Sequence, residues 1–89
     1  MKTFEKKDFK RTKMHRRVQP HEMLKTLREL QELTQQQLAE MSGISQSNLS
    51  ALEKGVRKIG RERAIVLAKA LKVHPAVILF SDFEMDDVA

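Results

Sequence analysis

The chain has 89 residues, a net charge of +5 and no cysteine, so it has room for one small-core domain but not for a disulfide scaffold or a cysteine-based site. The three histidines lack a metal-ligand spacing, so we expect no metal site. No apolar run approaches the ~20 residues of a membrane helix, and we expect no membrane association, no signal peptide and a location in the cytoplasm (or nucleoid). Three glycines, two prolines and four aromatic residues, all phenylalanine, favour an all-α domain over a β-sandwich or barrel.

Residues 1–20 form a basic N-terminal tail. They have eight Lys or Arg residues against Glu5 and Asp8, a net charge of +6, whereas residues 21–80 have +3 and residues 81–89 have −4. Because apolar residues are sparse in this charge-dense segment, we expect it to be poorly ordered. It is either a solvated tail or a cationic arm that binds polyanions. The expected organisation is a tail (1–20), one domain (21–81) and a short acidic end (82–89).

Apolar residues at helical spacing, separated by capping and turn residues, indicate five helices and no strand. The predicted ranges are 21–32, 35–42, 46–54, 61–71 and 75–80. The first range depends on leucines that recur every three residues: Leu24, Leu27, Leu30 and Leu33. Thr34 and Gln37 fit a capping box for the second helix, and Ser45 and His74 are suited to cap the third and the fifth.

The second and third predicted helices, with the turn between them, fit a helix-turn-helix. Gly43 accepts the left-handed conformation that ends the second helix, Ala39 is small enough for the point where the helices touch, and Ile44 fills the corner. Short polar side chains then face outward from the third helix, and their amides and hydroxyls suit base edges in the major groove: Gln46, Ser47 and Ser50. A glycine between two short helices is weak evidence by itself, since many helical hairpins have one.

The wider sequence, residues 24–80, resembles the Cro/repressor-type (XRE) helix-turn-helix family of bacteria and phages. The resemblance is carried by LTQQQLAEMSGISQSNLSALEKG at 33–55 and by LAKALKV at 67–73. It covers about two-thirds of the chain and implies a compact five-helix domain like that of the lambda repressor. It implies nothing about residues 1–20.

The resemblance implies DNA-contacting roles for individual residues. Members of the family contact bases from the start of the third helix, which here is Ser45, Gln46 and Ser47, and Gln46 is the best single candidate. Ala51 can touch only a thymine methyl group, which leaves few direct base contacts. Phosphate contacts are implied for Gln35, Asn48, Lys54, Arg57, Lys58 and, in a loop of variable length, Arg61 or Arg63.

The resemblance also implies structural roles. Arg28 and Glu53 match a partly buried ion pair of the family. Lys72 stands where the family commonly has glycine, so we expect a distorted helix end there. Val77 and Phe80 belong to an apolar run on a helix too short to bury all of it, and the family commonly dimerises in this region. We therefore expect both residues at a two-fold contact.

The expected function is that of a sequence-specific DNA-binding regulator, by default a repressor, which binds double-stranded operator DNA as a homodimer without a cofactor. The alternative is the antitoxin of a toxin–antitoxin pair, whose tail wraps a cognate toxin while the domain autoregulates the operon. An enzyme is disfavoured, because the sequence has no carboxylate pair, no nucleophile–base pair and no phosphate-binding glycine loop.

Overall fold

The computed structural model describes residues 17–82. This part of the chain has five helices: α1 (Pro20–Leu30), α2 (Gln35–Ser42), α3 (Gln46–Glu53), α4 (Arg61–Leu71) and α5 (Pro75–Leu79). Residues 17–82 include no strand. The all-α fold and the order of the five helices are therefore confirmed. The expectation of a poorly ordered tail falls on residues outside the described range, apart from the last few of the twenty.

The first helix begins one residue earlier and ends two residues earlier than predicted. Pro20 occupies its first position, where the missing N–H costs no hydrogen bond. The Glu22 carboxylate accepts a hydrogen bond of 3.0 Å from the N–H of Gln19 and so closes this end. The helix ends at Leu30, and Glu32 has a positive φ of 58°, which a continuing helix does not allow.

The leucine repeat of α1 overestimates its buried face. Leu24 is fully buried, and Leu27 and Leu33 pack against the core, but Leu30 is 73% exposed. A step of three residues turns an α-helix by about 300°, so such a repeat drifts by about 60° at each step. Two steps from Leu24 therefore carry Leu30 out of contact with the core.

The N-terminal caps of three helices are confirmed. Side-chain acceptors bond the early N–H groups of α2, α3 and α5, in the pairs Thr34 with Gln37, Ser45 with Asn48, and His74 with Ala76. At the other ends, α3 stops at Glu53 and α5 at Leu79, each one residue before its predicted end. The starts were the more predictable, because a cap bonds residues that are two or three positions apart in the sequence.

The end of α4 is regular, which corrects the expected distortion at Lys72. Lys72 adopts the left-handed conformation itself, with φ 61° and ψ 43°. The N–H of Val73 then reaches the carbonyl of Ala68 at 2.9 Å, and the side-chain amide of Gln31 donates to the carbonyl of Leu71 at 2.7 Å. The helix end thus keeps the geometry that glycine would give, at the steric cost of a side chain in this conformation.

The core joins all five helices. Its buried members are Leu24, Leu38, Ala39, Leu49, Leu52, Ile59, Ala64, Leu67, Ala68, Leu71 and Ile78. Each fully buried leucine contributes roughly 1.5–3 kcal/mol relative to an exposed one. Since α3 supplies Leu49 and Leu52, its opposite side is left to the solvent.

Candidate nucleic-acid interface

The N-terminal half of α3 has a polar face. Gly43, with a φ of 79°, ends α2 and allows the chain to turn into α3. Gln46 and Ser47 are exposed, and Ser50 is half-buried. Together with Ser45, which is also exposed, these are the four side chains predicted to contact bases, and all of them are at least partly accessible to solvent. Ala51, which follows them, is half-buried.

Ser45 has a structural role at the start of this face. Its hydroxyl oxygen accepts the N–H of Asn48 at 3.2 Å and lies 3.5 Å from the hydroxyl oxygen of Ser47. A serine hydroxyl has one hydrogen and two lone pairs, so this oxygen can still donate or accept once more. Ser45 thus fixes the first turn of α3 and keeps a hydrogen-bonding capacity toward a ligand.

The loop between α3 and α4, which begins where α3 ends, carries exposed cations. Three of these cations lie in the loop itself, and a fourth is the first residue of α4. They are Lys54, Arg57, Lys58 and Arg61. The backbone of the loop is held by Ile59, which is buried in the core, and by the N–H groups of Val56 and Arg57, which both bond the carbonyl of Ala51. No carboxylate within residues 17–82 forms an ion pair with these four cations.

Arg28 of α1 and Glu53 of α3 form a two-point ion pair below the polar face. The Nε and Nη2 atoms of Arg28 lie 2.7 and 3.0 Å from the two oxygens of Glu53, and the side chains are only 11% and 2% exposed. The third nitrogen, Nη1, donates to the carbonyl of Leu33 at 2.8 Å. The hydrogen bond to Glu53 raises the pKa of Arg28 and outweighs the opposing effect of burial. The guanidinium therefore stays charged, and it ties α1 to α3.

Gln35, at the start of α2, joins the same ion pair. Its Nε2 atom donates to Oε1 of Glu53 at 3.0 Å, and the residue is half-buried. The sequence predicts a phosphate contact for Gln35 but not this bond, because no local pattern relates residue 35 to residue 53. A side-chain amide has two N–H donors, so one remains for an anion near the N-terminus of α2.

The apolar run of α5 is divided between the core and the surface. Ile78 is fully buried, whereas Val77 is 38% and Phe80 53% exposed. The two residues expected at a two-fold contact are thus among the exposed ones. Their place in a dimer stays a prediction.

The two histidines of the described domain, His21 and His74, have packing and capping roles. His21 packs over Gly55, where a Cβ atom would lie 3.2 Å from the imidazole, and His74 caps α5. Within residues 17–82 no group of three or more His, Asp or Glu side chains is arranged to hold a metal ion. In the same range, no helix combines the length and apolarity needed to cross a membrane.

Residues 24–78 match the family described as helix-turn-helix. No curated protein matches the chain. The family match includes all of α2, the turn and α3, and it confirms the resemblance inferred from the residues themselves.

Solved structures with the same fold include three regulators. The restriction-modification controller protein C.AhdI from Aeromonas hydrophila is 31% identical, with a TM-score of 0.66 over 70% of this chain and 94% of that one. The P22 c2 repressor, solved in complex with synthetic operator 9T, is 26% identical, with a TM-score of 0.66 over 72% and 97%. The clp gene regulator ClgR from C. glutamicum is 28% identical, with a TM-score of 0.66 over 71% and 82%.

Proposed function

The chain belongs to the XRE-type helix-turn-helix family of DNA-binding regulators, which are not enzymes, and we propose that it is a repressor that binds operator DNA as a homodimer. The observation that carries this proposal is the exposed polar start of α3, together with the exposed cations of the loop that follows α3. A major groove admits an α-helix and offers hydrogen bonds to its side chains. The backbone phosphates on either side attract cations.

Gln46 is the residue proposed to determine sequence preference. It is exposed at the first position of α3, and the buried Leu49 and Leu52 fix the orientation of that helix. A glutamine amide combines a donor and an acceptor and can bond both N6 and N7 of adenine. Ser45, Ser47 and Ser50 supply hydroxyls around it, and these can bond more than one kind of base.

The phosphate contacts are proposed for the surrounding residues. They are Gln35 and Asn48 at the starts of α2 and α3, and Lys54, Arg57, Lys58 and Arg61 in the loop and at the start of α4. Such contacts fix the position of the protein on the duplex and contribute affinity without sequence preference. They also make the affinity depend steeply on salt.

The dimer is proposed to form through Val77 and Phe80. In a two-fold dimer each subunit offers the same patch, so one exposed apolar surface on α5 is sufficient for both partners. The α3 helices of the two subunits then bind half-sites about 10 base pairs apart. Such a dimer would act in the cytoplasm, on the DNA of the nucleoid. When it is bound across a promoter, it represses transcription because it keeps RNA polymerase from that promoter.

A second candidate function is that of an antitoxin. Phe4 and Phe9 lie among the cations of the basic tail, where phosphate binding has no use for aromatic side chains and a groove on a protein partner does. A gene for a small basic toxin beside that of this chain, and rescue of cell growth when the two are expressed together, would support this candidate over a simple repressor.

Footprinting on the DNA upstream of the protein's own gene tests the leading proposal. A repressor that controls its own promoter protects a segment with two-fold symmetry and half-sites about 10 base pairs apart. A scrambled duplex of the same composition is the control and should show no protected segment at the same protein concentration. Equal occupancy of both duplexes would overturn the proposal of sequence-specific binding.

A further inference from the structure

The C-terminal end of the described chain lies beside the basic loop. Asp82 lines a groove together with Arg57 and Lys58, at the place where α5 ends and α1 begins. The position of this end is fixed by the hydroxyl of Ser81, which donates to the carbonyl of Val18 at 2.9 Å. The chain beyond Asp82 therefore starts at a groove that two exposed cations also line.

The same two cations line a second groove. Its other walls come from the start of α4, at Gly60, Arg61, Glu62, Arg63 and Ile65. We call this second groove the loop groove (residues 57–65); it shares Arg57 and Lys58 with the groove that Asp82 lines. Four cations and a single carboxylate line it, and Ile65, 46% exposed, adds an apolar edge.

The residues after Asp82 have the complementary chemistry. The sequence of residues 83–89, Phe-Glu-Met-Asp-Asp-Val-Ala, has three carboxylates, no cation and three large apolar side chains. An extended chain spans about 3.3–3.6 Å per residue, so the five steps to Asp87 reach up to about 17 Å from Asp82. The stretch of α4 that lines the groove, from Arg61 to Ile65, rises only about 6 Å. The segment is thus long enough to extend past the stretch of α4 that lines the loop groove.

We propose that residues 83–89 dock on the loop groove of their own chain and compete there with DNA for Arg57, Lys58 and Arg61. Tethering at Asp82 keeps the three carboxylates at high local concentration near these cations. DNA must displace the segment before its phosphates reach the same side chains. The competition, though not the docking itself, rests on the proposed DNA-binding function.

The apparent affinity for DNA measures the competition. If the segment is docked in about nine of ten molecules, only one in ten is competent, and releasing it tightens DNA binding about tenfold. The variant Asp86→Asn/Asp87→Asn should approach this gain at low salt. The matched control Glu29→Gln/Glu32→Gln removes two exposed carboxylates outside the groove, one in the last turn of α1 and one just after it, and should change affinity less than about twofold. Equal gains for the two variants would mean a general charge effect and would overturn the proposal.

Docking is measured separately, without DNA, from the backbone amide chemical shifts of the full chain and of the chain lacking residues 83–89. The proposal predicts shift changes at residues 57–65 that are independent of protein concentration. Unchanged shifts at 57–65 would overturn it even if DNA binding is established, whereas changes there without any DNA binding would refute only the proposed function. Concentration-dependent changes would indicate a second copy. If the shift changes disappear in a chain that also lacks residues 1–16, the acidic segment binds the basic tail instead. Either of these last two results would contradict docking on the loop groove of the same chain.

Discussion

Arg28 and Glu53 hold α1 against α3 through two hydrogen bonds between oppositely charged groups that are both almost fully withdrawn from water. The same carboxylate accepts the amide of Gln35 from α2. Side chains from three helices therefore meet at one buried glutamate, which links α2 and α3 in addition to the turn at Gly43 and the shared core.

Replacing Glu53 by alanine should destabilise the domain strongly. The change leaves the guanidinium of Arg28 buried without its partner, which costs about 3–5 kcal/mol in the free energy of unfolding. Glu40→Ala on the exposed side of α2 is the matched control and should cost far less. Urea unfolding followed by circular dichroism compares the two variants, and similar midpoints would show that the ion pair contributes little to stability.

Replacing Lys72 by glycine should stabilise the domain. Lys72 has a left-handed backbone, which costs a residue with a side chain about 1–2 kcal/mol, and glycine avoids that cost while losing part of the gain to its freer unfolded state. Lys69→Gly, three residues earlier within α4, should instead destabilise by up to about 1 kcal/mol. Thermal melts of the two variants should therefore shift in opposite directions. Shifts of the same sign would contradict the assignment of strain to Lys72.

The sequence predicts the parts of this structure that depend on near neighbours. Thr34, Ser45 and His74 cap helices within two or three residues of themselves, and Gly43 makes the turn from its own conformational freedom. A family resemblance added the pairing of Arg28 with Glu53, which lie 25 residues apart.

Other features depend on contacts that no local pattern encodes. The bond from Gln35 to Glu53 spans 18 residues, and the bond from Gln31 to the carbonyl of Leu71 spans 40. Exposure of Leu30 follows from the helical pitch, which the three-residue repeat does not match. The position of Asp82 beside the basic loop emerges only when α5 packs against α1.

Charged substitutions on α5 should dissociate the proposed dimer. Val77→Glu and Phe80→Glu each place a carboxylate in a two-fold contact where it would meet its own copy, so we expect monomers of unchanged helicity that bind operator DNA much more weakly. Leu30→Glu is the control, because Leu30 is also exposed and apolar but lies on α1. Light scattering gives the mass of each variant. An interface elsewhere is indicated if both α5 variants stay fully dimeric.

Removing residues 1–16 should reveal whether the basic tail contacts DNA. The segment has seven Lys or Arg residues, and each phosphate that a protein neutralises adds about 0.9 to the slope of log affinity against log salt. If the tail is a DNA arm, its loss should lower that slope by several units without changing base preference. As a toxin-binding segment, its loss should leave the slope nearly unchanged and abolish a protein partnership. We expect the first result.

The claim that α3 determines sequence preference is tested most directly by Gln46→Ala and Lys58→Ala, measured on operator and scrambled DNA over a salt series. Loss of the Gln46 amide should cost about 1–3 kcal/mol on the operator and almost nothing on scrambled DNA, with relaxed preference at one base position. Loss of the Lys58 charge should weaken both duplexes about equally and reduce the salt slope by about 1. Equal losses on the two duplexes for Gln46→Ala would contradict the assignment of base recognition to the start of α3.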